Sequence, residues 1–171
     1  MKPLLGHRAE WPIVMMQIAE AAGSRSRDAT TRVGTVVCTE NWRVLGTGYN
    51  GGPKGSPKGL VNQGASRHLF VVHSEINALL QAVAALGSND LSGCLLFSTH
   101  RPCAACLKMA SHLGVRRVLY AVDELSPEQR HDAEKVSKVL GIKSAKNLEK
   151  GFVTPFRKFP DSVSEGCSSR G

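Results

Sequence analysis

Apolar residues recur at helical spacing near the start of the chain. Trp11, Val14, Met15, Ile18, Ala19 and Ala22 share one face, and Gly23 with the polar stretch SRSRD closes the segment. The period then changes. Residues 33–39 are β-branched and apolar, and after a Glu-Asn turn residues 43–48 resume the pattern, which predicts a hairpin. Residues 50–67 (NGGPKGSPKGLVNQGASR) hold five glycines and two prolines and read as loop. Helical spacing returns over 73–86. A third strand is expected at 94–98, a further core helix at 102–113 and a fourth strand at 115–122. Ser126-Pro127-Glu128-Gln129 has the make-up of a helix start: a Ser cap, Pro at the first helical position and Gln at the third. That helix runs to Leu140 and stops at Gly141, with a short strand near 142–144. Strands alternating with helices predict an α/β fold whose sheet carries helices on its faces. One domain is expected over 1–150, followed by an irregular extension over 151–171 that contains Pro155 and Pro160.

The length of 171 residues suits a single core. A hydrophobic share of 42% with 21% charged residues is ordinary for a globular protein and argues against wholesale disorder. No apolar run reaches the ~18 residues of a membrane span, and MKPLLGHRAEWP lacks the apolar core of a secretory signal. A soluble cytoplasmic protein is expected, with no membrane partner. The net charge of +8 is spread evenly: nine Lys/Arg stand against five Asp/Glu in residues 1–86, and thirteen against nine in 87–171. That balance fits nucleotides or nucleic acid, and fits a solvated basic surface equally well.

Five cysteines in such a chain point away from a disulfide framework and toward metal or catalysis. Cys38 and Cys94 lie in apolar runs and read as core residues; Cys167 lies in a polar tail. The informative group is His73-Ser74-Glu75 and Pro102-Cys103-Ala104-Ala105-Cys106, whose first cysteine lies twenty-eight residues after the Glu. One imidazole and two thiolates supply three zinc ligands and leave a fourth tetrahedral position for water, the arrangement of catalytic and not structural zinc. Both motifs open predicted helices, whose positive N-termini favour thiolates. Glu75 is two residues from a ligand, within reach of that water without binding the metal itself.

H-x-E followed by P-C-x-x-C is the signature of the zinc nucleobase deaminases, and the chain resembles them. Among them SRDATTRVGTVV (26–37) and GTGYNGGPKG (46–55) are similar to the S-x-D-x-x-T-x-V-G and G-Y-N-G segments of deoxycytidylate deaminases. The resemblance runs from about residue 10 to residue 140. It implies a cytidine-deaminase-like three-layer sandwich, with a central mixed sheet of about five strands between helices. It also implies hydrolysis of dCMP to dUMP and ammonia in the cytoplasm. His73, Cys103 and Cys106 would hold one zinc per chain, and Glu75 would shuttle protons. Asn50 would meet the sugar hydroxyl, Val33 the pyrimidine ring, and the backbone at Ser74 and Glu75 the base. Arg25, Arg27, Lys54 and Arg101 are the candidates for the 5′-phosphate. The family adds dCTP or dTTP as effectors bound by the Gly-rich loop, and homo-oligomers, often hexamers.

Two residues depart from the family's usual pattern: Ser74 stands where Ala is usual, and Arg101 where an apolar or aromatic residue often precedes the Pro-Cys pair. Residues 51–67 contain no Cys or His, so no second zinc is expected there. His68 reads as a polar contact, and His100 as a residue of the pocket mouth. Deamination of a related cytidine nucleotide is the alternative. Nucleic-acid editing is the more distant one, since aromatics make up only 5% of the chain and a stacking groove needs them.

Overall fold

The computed structural model describes residues 10–57, 59–62 and 67–146; the extension expected over 151–171 lies outside them. The elements are α1 (Trp11–Gly23), β1 (Gly34–Cys38), β2 (Val44–Tyr49), α2 (Arg67–Phe70), α3 (Ser74–Leu86), β3 (Leu95–His100), α4 (Ala104–His112), β4 (Arg117–Val122), α5 (Pro127–Val139) and β5 (Lys143–Lys146). They form one five-stranded mixed sheet of order β2-β1-β3-β4-β5. β1 runs antiparallel to β2 and β3, while β3, β4 and β5 run parallel.

Alternation along the central strands feeds two cores. Val36, Cys38, Leu95 and Phe97 face Met15, Met16 and Ala19 of α1. Val37, Leu96 and Val118 face the other way, onto Ala78, Leu79 and Ala82 of α3, Leu107 and Ala110 of α4, and Ala133 of α5. This is the expected three-layer sandwich. The α5 start is the predicted capping box: Ser126 Oγ accepts from the Gln129 N–H at 3.2 Å, and Gln129 Oε1 accepts from the Ser126 N–H at 3.1 Å.

Two expectations shift. The segment read as loop contains a 3₁₀ turn at Leu60–Asn62, with Val61 buried, and α2 starts at its end. Such short apolar groups show no period among the glycines. β3 also continues beyond residue 98, because Thr99 and His100 extend the pairing to His100–Val122 although neither is apolar.

Glycines on β2 set the height of α3 above the sheet. A Cβ added at Gly48 would lie 2.2 Å from the Ser74 carbonyl oxygen, and one at Gly46 would lie 2.3 Å from that of Ala78. Backbone therefore meets backbone where α3 begins. Gly48→Ala is expected to destabilise by about 1–3 kcal/mol, the usual cost of overpacking. Calorimetry should show Tm lower by at least about 2–4 °C.

Candidate active site

Because β1 is antiparallel to both neighbours, its start, the end of β2 and the end of β3 share one edge: Gly34 pairs Tyr49, and Thr35 pairs Ser98. From that edge α3 and α4 begin. His73 caps α3 and Cys103 caps α4, each in extended backbone, so both helices present their N-termini to one point. His73 Nδ1 lies 3.6 Å from Cys103 Sγ and 3.4 Å from Cys106 Sγ, and the two sulfurs are 3.7 Å apart. Zinc bonds of about 2.3 Å to sulfur and about 2.0–2.1 Å to nitrogen place tetrahedral ligands about 3.6–3.8 Å apart. The donor set fits zinc in kind and in spacing. No other such group of three or more His, Cys, Asp or Glu occurs among the described residues.

The contact with Cys106 Sγ, aided by His73, pulls the Cys103 thiol down to about 3, whereas Cys106 is pushed up by the same contact and by burial. Glu75 follows in the first turn of α3 and is 4% exposed. Burial pushes its carboxyl above the ordinary range, against the pull of its own N–H and of His73. Burial of this kind favours the protonated form, so the carboxyl takes up a proton more readily than a solvated one.

His73, Glu75 and Cys103 line a cleft of about 290 Å³ together with Ser74, Val33, Asn50 and Arg101. Asn50 is mostly committed to the protein. Its Nδ2 donates to the Thr31 carbonyl at 2.8 Å and to Asp28 Oδ2 at 3.3 Å, and its Oδ1 accepts from the Val33 N–H at 2.7 Å. What remains for a ligand is acceptor capacity on Oδ1. Asp28 Oδ1 in turn accepts from the N–H groups of Thr30 and Thr31, so residues 26–33 are folded around Asn50.

The four phosphate candidates are not brought together. Arg101 reaches the cleft, but it donates to Asp123 Oδ2 at 2.9 Å and Glu134 Oε1 at 3.4 Å while lying over the Tyr120 ring. Its guanidinium ties the Pro-Cys turn to β4 and α5. Arg25 and Arg27 line a separate depression of about 190 Å³ with Gly51, Gly52, Ser56 and Gly59 of the Gly-rich loop. Lys54 is exposed on that loop and lines neither hollow.

Sequence reasoning gave no part in the site to Asp28, Thr31, Glu124 or Gln129, all of which line the cleft. Asp28 and Thr31 carry a signal, since they are the D and T of the S-x-D-x-x-T segment. Glu124 carries none; it meets His100 Nε2 at 3.4 Å across the mouth, where Thr99 Oγ1 holds His100 Nδ1 at 3.0 Å. His68 and His100 also line the cleft.

A family model described as the cytidine and deoxycytidylate deaminase zinc-binding region matches residues 9–122. The chain is 30% identical to the mouse deoxycytidylate deaminase over 164 residues, covering 91% of this chain and 83% of the relative. It is 37% identical to that of Mycobacterium phage D29 over 128 residues, covering 66% of this chain and 95% of the phage protein. Among solved structures, the dCMP deaminase of cyanophage S-TIM5 aligns with a TM-score of 0.65 at 31% identity, over 82% of this chain and 99% of the phage chain. The same phage enzyme has been crystallised with dCMP and dUMP, and that form aligns with a TM-score of 0.65 at 30% identity.

Proposed function

Since the chain belongs to the cytidine and deoxycytidylate deaminase zinc-binding family, we propose that it hydrolyses dCMP to dUMP and ammonia. The observation that carries this reading is the convergence of His73, Cys103 and Cys106 beside a buried Glu75 in one cleft. Those three residues would hold one zinc per chain. When bound, the metal supplies a water nucleophile at neutral pH. Glu75 takes a proton from the attacking water and gives it to N3 of the pyrimidine. A second transfer through the same carboxyl protonates the C4 amine, which leaves as ammonia. Water adds at C4, the C4–N bond breaks, and the carboxyl ends as it began.

Val33 lies beside the cleft for the pyrimidine face, and Asn50 Oδ1 would accept the proton of the sugar 3′-hydroxyl. An oligonucleotide has a phosphodiester at that position and no proton to give. Among the described residues of the cleft Arg101 is the Arg or Lys within reach of a 5′-phosphate, in exchange for one of its carboxylate partners. The separate depression with Arg25, Arg27 and the bare backbone of Gly51, Gly52 and Gly59 suits a triphosphate effector such as dCTP or dTTP. Among the described residues no helix is long and apolar enough to cross a membrane. A reducing compartment such as the cytoplasm suits Cys103 and Cys106, which must stay reduced to hold the metal.

The test compares ammonia release from dCMP, CMP, deoxycytidine and a cytosine-containing oligonucleotide, with zinc measured on the same sample. A charge-assisted hydrogen bond contributes about 1.5–3 kcal/mol, so dCMP should exceed deoxycytidine in kcat/KM by about tenfold or more. Equal efficiency on the nucleoside overturns the phosphate assignment. An oligonucleotide turned over faster than dCMP overturns the nucleotide reading itself.

A further inference from the structure

Beneath Glu75 three buried hydroxyls stand in file. Ser74 Oγ donates to Glu75 Oε2 at 3.0 Å, Thr35 Oγ1 lies 2.7 Å from Ser74 Oγ, and Ser98 Oγ lies 3.2 Å from Thr35 Oγ1. Ser74, Thr35 and Ser98 each have 0% exposure, so water does not compete for these bonds. Three elements build the file. Ser74 opens α3, and Thr35 and Ser98 are register partners on β1 and β3. The backbone contact at Gly48 fixes Ser74 against the sheet.

We propose that Ser74, backed by Thr35 and Ser98, is a positioning residue that fixes the rotation of the Glu75 carboxyl in the cleft. The proposal rests on Glu75 being the proton carrier of the deamination proposed above. A glutamate side chain has three rotatable bonds, and a carrier must present the same oxygen to its substrate at each turnover. A hydroxyl has one proton to give and lone pairs to receive another. Ser74 therefore donates to Glu75 Oε2 while its own oxygen can accept from Thr35, and the carboxyl keeps one partner in one place. An alanine at position 74 would leave Glu75 Oε2 and Thr35 Oγ1 each short of a partner in a dry site.

The test measures kcat and KM on dCMP, zinc content and Tm for Ser74→Ala, Thr35→Val, Thr35→Ser and the Ser74→Ala/Thr35→Val pair. Ser74→Ala should lower kcat by about tenfold or more, the worth of a hydrogen bond to a charged group. KM should stay within about twofold, since substrate binding is untouched. Thr35→Val should lower kcat in the same sense, Thr35→Ser should keep it, and the double variant should be little worse than Ser74→Ala alone. Zinc content should match the wild type throughout. Wild-type kcat in Ser74→Ala overturns the proposal, as do losses that follow zinc content or add up independently in the double variant. If Ser74→Ala does not fold, the contrast between Thr35→Val and Thr35→Ser decides: equal kcat in the two overturns it. A wild-type enzyme that leaves dCMP unchanged removes the function proposed above; a failure of the variants with wild-type turnover intact removes only this inference.

Discussion

Glu75→Gln is expected to keep its zinc and lose at least about 10²-fold in kcat, the lower range for general acid–base catalysis. The substitution preserves side-chain volume, still accepts the Ser74 hydroxyl proton, and leaves His73, Cys103 and Cys106 as they are. What it removes is the capacity to carry a proton between water, ring nitrogen and amine. Burial pushes the Glu75 carboxyl above its ordinary range and so favours proton uptake by the group that the substitution removes. The decisive measurement is single-turnover dCMP deamination with metal content determined on the same preparation. Activity near wild type with zinc retained would mean that another group moves the proton.

Cys106→Ser is expected to act one step earlier, by emptying the site. Cys106 is 2% exposed and sits 3.7 Å from Cys103 Sγ and 3.4 Å from His73 Nδ1, so a shorter, harder hydroxyl cannot meet the same metal without moving helix α4. Zinc should fall well below one equivalent and turnover should be lost. Because metal binding is also folding free energy, Tm should fall toward that of the chelator-treated wild type. Elemental analysis and calorimetry on one preparation check both effects. A purified variant with full activity and no zinc would sink the metal reading.

Sequence pattern picked out the His73, Cys103 and Cys106 that the fold brings together and stopped short of their surroundings. His73 with Glu75, and Cys103 with Cys106, are each spaced within one helical turn, so local geometry alone put each pair at a helix start. The strands and helices showed through period for the same reason. By contrast, Thr35, Ser74 and Ser98 come from elements far apart in sequence, and the Thr35–Ser98 register together with the seat of α3 on Gly48 brings them together. The basic candidates show the other limit. Arg25, Arg27, Lys54 and Arg101 looked alike as charges, yet Asp123 and Glu134 engage Arg101 while Arg25 and Arg27 face a different hollow. Which carboxylate answers an arginine depends on tertiary packing, and charge count does not reveal it.

Gly46 and Gly48 bring the main chain of β2 against the main chain of α3 at Ser74, Ala78 and Ala82. A helix seated on side chains can be raised, lowered or tilted as those side chains change size over generations. One seated on glycine has no such adjustment, since almost any replacement beneath it collides with backbone. The first turn of α3, which carries Ser74 and Glu75, is therefore held at a height that the main chain of β2 sets, whatever side chains surround it.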